Sequence, residues 1–364
     1  MSAGGPRRRL PEHLPILNRR MARGDYRPRY AEREITAPVD LCDARGVLNP
    51  DAVGWSRFPI VRANLSGHWP RKKRWNFWNW ISRDFVFSVT LADLDYASFC
   101  AATFSDFAAG QTFRCQSNGR PGRFAMPEHV ERSVSFRGGG LEYANVNAGG
   151  DLEVDFRGRT RDGVEIVADF RVHKPPDHES LNVVVPWTDR RFQLNSKHNT
   201  LPCEGHVTVA GRRHAMEPAT CHAVQDFGRG IWPYRSFWNW AVCTGEQAGH
   251  RIGVNLGGKW TTGTGANENG ILLDGRLHKI MEDLHWSYDP RDWMKPWRIR
   301  SLHSDTLDLT LRPRMAHRSS LNLGLLATGG VCCFGAWRGW VRIDGQSFEI
   351  EDLVGWAEEF AHRW

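Results

Sequence analysis

Across residues 132–174 apolar and polar side chains take turns one for one, in four short runs parted by Gly138-Gly139-Gly140, Gly149-Gly150 and Asp162-Gly163. A period of two sends alternate side chains to opposite faces of an extended chain, so each run has one face for a core and one for water. Leu152, Val154 and Phe156, then Val164, Ile166, Ala168 and Phe170, fall on one face, while Glu153, Asp155, Glu165 and Asp169 fall on the other. Runs this short, joined by turns this tight, pair with their neighbours as an antiparallel meander. The same pattern holds for Phe85, Phe87, Val89 and Leu91, and for residues 181–186, 207–210 and 252–256. Hairpin signals follow at Asp274-Gly275 and Asp344-Gly345. Strands recurring about every ten residues predict a mainly β chain, a barrel or sandwich. Segments with helical spacing are few, and residues 352–362 are the best candidate for a helix.

At 364 residues the chain exceeds what one core usually fills and suits two units of about 150 residues each. An internal echo supports a duplication. Phe77-Trp78-Asn79-Trp80 returns as Phe237-Trp238-Asn239-Trp240, one domain length later, each preceded by a Trp-Pro pair. The reading that follows is an Arg- and Pro-rich arm over residues 1–57, a first barrel-like domain over 58–215 and a second over 216–364.

Seventeen Trp against six Tyr is an unusual balance, and each indole brings a wide apolar face plus one N–H that needs a partner. Of the formal charge of +7, an excess of five sits in residues 1–34, where nine Arg face Glu12, Asp25, Glu32 and Glu34. The rest is nearly neutral and carries no helix-turn-helix, zinc-finger or RNP-type signature, which argues against nucleic acid as a partner. Eight Cys without regular spacing read as reduced thiols, and no leader or long apolar span is evident, so the expected location is cytoplasmic without stable membrane insertion.

The densest chemistry lies between Cys221 and Trp240. Asp226 is a candidate general acid or base, because a carboxyl among indoles has its charged form disfavoured. His222 and Tyr234 are candidate assistants. Arg229, between Gly228 and Gly230, could clamp a polar group of a substrate in two-pronged geometry; a structural Asp226–Arg229 pair is the alternative. Trp232, Trp238 and Trp240, with Trp78 and Trp80 from the first half, are candidate ligand-binding faces, and Asn239, Asn255 and Glu268 are candidate polar contacts. The Gly-rich run 263–270, which holds Asn267 and Glu268, lacks the following helix of a phosphate loop and reads as a cleft-mouth turn or a solvated loop. Cys203, His206, Cys221 and His222 are poorly disposed for zinc, since Cys221 and His222 are adjacent and point apart. No metalloprotease, P-loop or serine-hydrolase motif is present, and no cofactor or metal is expected.

These residues, together with Cys42-Asp43, Leu48-Asn49-Pro50, Gly54-Trp55-Ser56-Arg57, Asp226-Phe227-Gly228-Arg229-Gly230-Ile231-Trp232-Pro233-Tyr234, Ile252-Gly253-Val254-Asn255, Asn269-Gly270 and Gly355-Trp356-Ala357-Glu358, resemble the DUF2804 family, whose name carries no activity. In outline the chain is also similar to the AttH/CrtC-like lipocalin group, which includes carotenoid hydratases and cyclase-type enzymes. That resemblance implies two antiparallel lipocalin-like β-barrel or sandwich halves packed together behind an extended N-terminal arm, and an apolar pocket with a buried acid. Three functions follow as expectations. One is an enzyme or binder for a bulky apolar, lipid- or isoprenoid-like molecule, with hydratase, lyase or isomerase chemistry if it is catalytic. Another is a carbohydrate-active enzyme pairing Asp226 with Glu268 or Asp305. The third is a non-catalytic carrier.

Overall fold

A computed structural model describes residues 32–364 except 123 and 125, so most of the arm read from the sequence lies outside the described residues. Strands make up nearly all of the regular structure, beside one short 3-10 turn at Pro50–Ala52, and there is no α-helix among the described residues. No helix is long and apolar enough to cross a membrane.

Two antiparallel sheets account for almost all strands. The first has thirteen, and its main path runs from Gln111–Gly119 through Ser98–Asp106, Phe85–Asp93, Lys72–Ile81, His222–Ile231 and Arg191–Val209 to the meander ending at Val134–Gly138. It curls into a nearly closed barrel. The inward face carries Phe87, Phe156 and Phe170, which the alternation assigns to a core, together with Phe104. The second sheet has nine strands in the shape of a half-barrel, with Gln346–Arg363 between Arg235–Gln247 and Ala327–Ile343. Its hairpins turn at Asp274-Gly275 and Asp344-Gly345, each with φ near 50° then 82° or 81°, the left-handed pair that twist-matched two-residue turns require.

The two Phe-Trp-Asn-Trp strands hold equivalent places. Lys72–Ile81 lies between the next strand and His222–Ile231, the last strand of its half; Arg235–Gln247 lies between the next strand and Gln346–Arg363, the last strand of the chain. The change of sheet comes at Trp232–Tyr234 and not at residue 216, so the strand bearing Asp226 belongs to the first sheet.

Residues 352–362 are strand, not helix. Leu353 and Ala357 face the half-barrel core while Val354 and Trp356 face the first sheet. A strand buried on both faces loses its polar alternation and mimics helical spacing. The two sheets meet over Ile81, Val86 and Val224 on one side and Trp240, Val242, Val354 and Trp356 on the other.

Candidate functional site at the junction of the two sheets

Lys197 stands directly opposite Asp226 in the ladder between Arg191–Val209 and His222–Ile231. Its ammonium, almost wholly enclosed, lies 3.1 Å from Asp226 Oδ2 and 3.3 Å from Glu268 Oε2, and 3.9 Å over the Trp240 ring. Burial by itself would lower the lysine, but the two carboxylates outweigh it and hold the ammonium above its ordinary value. Burial pushes the Glu268 carboxyl up, against the pull of Lys197.

A third carboxyl completes the group. Glu358 sits on the last strand of the second sheet, keeps part of its surface exposed, and is pushed by the surrounding protein up to about 7. The negative charge of Asp226 adds to that rise, while Lys197 and the Trp238 hydrogen bond oppose it.

Each carboxyl accepts one indole N–H. Trp75 Nε1 donates to Asp226 at 3.0 Å, Trp260 Nε1 to Glu268 at 2.7 Å and Trp238 Nε1 to Glu358 at 2.8 Å. Buried indoles need acceptors and buried carboxylates need donors, so the excess of Trp and this acid cluster satisfy one another. Further polar links brace them. Trp232 Nε1 donates to Gln193, Gln193 to Asn195, and Asn195 to Glu268. Trp240 Nε1 donates to Asn255, whose amide holds the Glu268 carbonyl. One atom is left over: Asp226 Oδ1 is buried with no hydrogen-bond partner.

The glycines of the Asp-Phe-Gly-Arg-Gly run serve this arrangement. A Cβ on Gly228 would lie 2.0 Å from the Trp75 ring, and one on Gly230 would lie 2.1 Å from Gln193 Oε1. Both are strand residues, so their small size makes room for side chains and does not bend the chain sharply. Likewise a Cβ on Gly257 would lie 2.2 Å from Glu268.

Several sequence candidates stand elsewhere. Arg229 is on the opposite face of its strand from Asp226, as odd and even positions must be. It is buried and donates to the carbonyls of Trp75, Gly228 and Pro127 and to Asn76 Oδ1, so it is a structural tie and not a substrate clamp. Trp78 and Trp80 also take the other face of their strand, stacked 5.9 Å apart inside the first barrel; Trp75 and Phe77 are the residues that face the junction. His222 is four residues from Asp226, about 13 Å along the strand. It is buried near Glu246 with both ring nitrogens unpartnered, and burial lowers it to about 4. Tyr234 is exposed and donates to the Leu325 carbonyl. Asn239 faces the half-barrel, where it meets Tyr288 beside Lys259 and Glu359. Asp305 pairs with Arg342 at the surface. The run 263–270 is neither solvated nor phosphate-like: Asn267, Glu268 and Asn269 are buried and Glu268 enters the cluster.

Lys197, Glu358, Trp75 and Trp260 are absent from the sequence-derived candidates. Gln193, Asn195 and Lys197 alternate with Phe192, Leu194 and Ser196, a pattern that reads as an outward polar face. Here that face is covered by the second sheet.

No curated protein matches the chain. Among solved structures it is similar to a protein described as AttH from Nitrosomonas europaea, at 12% identity and TM-score 0.47, covering 81% of this chain and 93% of that one. It is similar to CghA in complex with Sch210972, at 13% identity and TM-score 0.49, covering 81% and 89%. It is also similar to kievitone hydratase from Nectria haematococca, at 12% identity and TM-score 0.45, covering 93% and 98%. The family model for the domain of unknown function DUF2804 matches residues 32–364, and the chain belongs to that family.

Proposed function

We propose that this protein is an acid–base enzyme of hydratase, lyase or isomerase type, acting on a bulky apolar small molecule held against the indoles of the inter-sheet junction. The observation that carries this reading is the charge balance of the cluster. One ammonium, Lys197, pairs with the buried carboxyls of Asp226 and Glu268 and acts electrostatically on a third, the partly exposed Glu358. Ionising all three would leave two uncompensated negative charges in a low-dielectric setting, so one carboxyl keeps its proton near neutral pH. Glu358, raised to about 7, is that group. A proton donor poised near ambient pH is what general-acid catalysis asks for.

Glu358 and Trp238 form the partly exposed side of the cluster, so a substrate reaches them first. For addition of water to a carbon–carbon double bond, the Glu358 O–H bond breaks and a C–H bond forms. Water then bonds to the neighbouring cationic carbon. Asp226 takes the proton that this water releases, on the Oδ1 that has no other partner. Lys197 compensates the charge, and exchange with solvent resets both carboxyls. Elimination is the same path reversed.

The test starts from protein purified without denaturation, from which bound small molecules are extracted and weighed by mass spectrometry. The extract is then returned to wild type, Glu358→Gln and Asp226→Asn. The proposal expects an apolar compound whose mass changes by one water, or which isomerises, with wild type only. A glycan in the extract, or conversion that survives in Glu358→Gln, overturns it. Binding without conversion by all three proteins makes the chain a carrier.

A further inference from the structure

A long hairpin of the half-barrel, Leu307–Asn322 with Ala327–Ile343, ends in a tight turn closed by the Leu323 N–H on the Leu326 carbonyl at 2.8 Å. Asn322 Oδ1 accepts from the Gly324 N–H at 3.1 Å and fixes the turn further. On this tip Leu321, Leu323 and Leu325 are 52%, 66% and 79% exposed. Three leucines crowded on one convex, well-braced turn cannot be placed there by the needs of the core, and a contiguous exposed apolar patch marks a contact.

Charge identifies the contact. Between Leu309 and Ile343 the hairpin carries five Arg and no Asp or Glu; Arg338 and Arg342 are paired with Asp352 and Asp305. Arg318, four residues from Asn322 on this hairpin, is exposed and makes no ion pair among the described residues. Arg363 donates to Asn322 at the tip, and Arg235 lies opposite Arg363 in the ladder. Tyr234, 39% exposed, donates its hydroxyl to the Leu325 carbonyl, with the Arg71 guanidinium 5.8 Å over its ring. Apolar side chains at the apex, a tyrosine at their base and arginines behind them match the layering of a bilayer interface: acyl chains, headgroup boundary, anionic surface.

We infer that the Leu321–Leu325 tip docks this protein reversibly on anionic lipid surfaces. The tip adjoins the aromatic wall of the junction. Thr328 is hydrogen-bonded to His362 at 2.9 Å, His362 lies 4.5 Å from the Trp238 ring, and the Trp364 N–H donates to the Tyr234 carbonyl. Docking therefore presents the Trp238 side of the cluster toward the membrane, where an apolar substrate would be dissolved. The docking itself does not depend on the chemistry proposed above and is measured without a substrate, so either can fail alone.

The test is flotation of the full chain with vesicles of phosphatidylcholine alone and of phosphatidylcholine mixed with phosphatidylserine in equal parts. The comparison is wild type against Leu321→Ser/Leu323→Ser/Leu325→Ser, which alters exposed side chains only. Wild type is expected to float with the mixed vesicles, less so as salt rises, and the triple variant to bind them about tenfold more weakly or worse. Equal flotation of both proteins, or none by wild type, overturns the inference. So does sedimentation showing a wild-type dimer that the triple variant dissolves, since the patch would then belong to a second copy.

Discussion

Lys197 and Asp226 face each other across adjacent antiparallel strands of the first sheet, and the ammonium of that pair rests on Trp240 of the second. The pair thus joins the two halves of the chain, and the neighbouring carboxyls Glu268 and Glu358 come from the second half. Removing the cation leaves carboxylates stranded at the sheet junction.

Lys197→Met is accordingly expected to destabilise the fold by about 3–5 kcal/mol, the usual loss when one partner of a buried pair is removed. Adding Asp226→Asn and Glu268→Gln to the same chain should recover a large part, because the uncompensated charges go with them. Urea unfolding of the single and triple variants checks both.

Gly228→Ala places a methyl group against the Trp75 ring, 2.0 Å from Cε2 before any relaxation. Overpacking of this kind is expected to cost about 1–3 kcal/mol and to weaken the Trp75–Asp226 hydrogen bond. Combining it with Trp75→Ala should remove most of the additional loss. Thermal melts of the two single variants and the double give the coupling.

Arg229→Lys should be severe although the charge is kept. Lysine cannot reach three carbonyls and Asn76 with a planar fork, and the abandoned buried acceptors make the loss about 3 kcal/mol. Any ligand affinity that survives in the folded fraction should equal that of wild type, which separates a structural tie from a substrate clamp.

Glu358 makes stability depend on pH in a defined direction. Its folded carboxyl holds a proton up to about 7, against an ordinary value of 4.5, so between those values the folded state binds more protons than the unfolded chain. Stability from this group is therefore full below 4.5 and is lost as pH rises toward 7. His222, lowered to about 4 by burial, acts oppositely: its contribution is lost as pH falls from 6.5 toward 4. The two slopes partly cancel in wild type. Measured as a difference, wild type should gain on Glu358→Gln as pH falls through this window, and His222→Asn should flatten the acid limb.

Much of the architecture was legible because strands announce themselves by period. The meander over residues 132–174 and the turns at Asp274-Gly275 and Asp344-Gly345 needed only alternation and left-handed turn residues. Period failed where both faces are covered. Residues 352–362 looked helical for that reason, and the polar row Gln193, Asn195, Lys197 gives no sign in its own alternation that a second sheet lies on it. Facing was the other loss. Phe-Trp-Asn-Trp recurs in equivalent strands, yet Trp78 and Trp80 enter their own barrel while Trp238 and Trp240 face the junction, and no single strand states which of its faces a partner will cover. Asp226 was readable as an acid among indoles; its partners come from strands up to 151 residues away in the chain.

The proposed chemistry requires one carboxyl at the sheet junction to keep its proton near neutral pH. Infrared difference titration of wild type and Glu358→Gln measures that directly through the C=O band of a protonated carboxyl. The expected result is a band in wild type that titrates away with a midpoint of about 7 and is missing from Glu358→Gln. A wild-type protein with no such band at neutral pH, or a band that persists unchanged in Glu358→Gln, would contradict it.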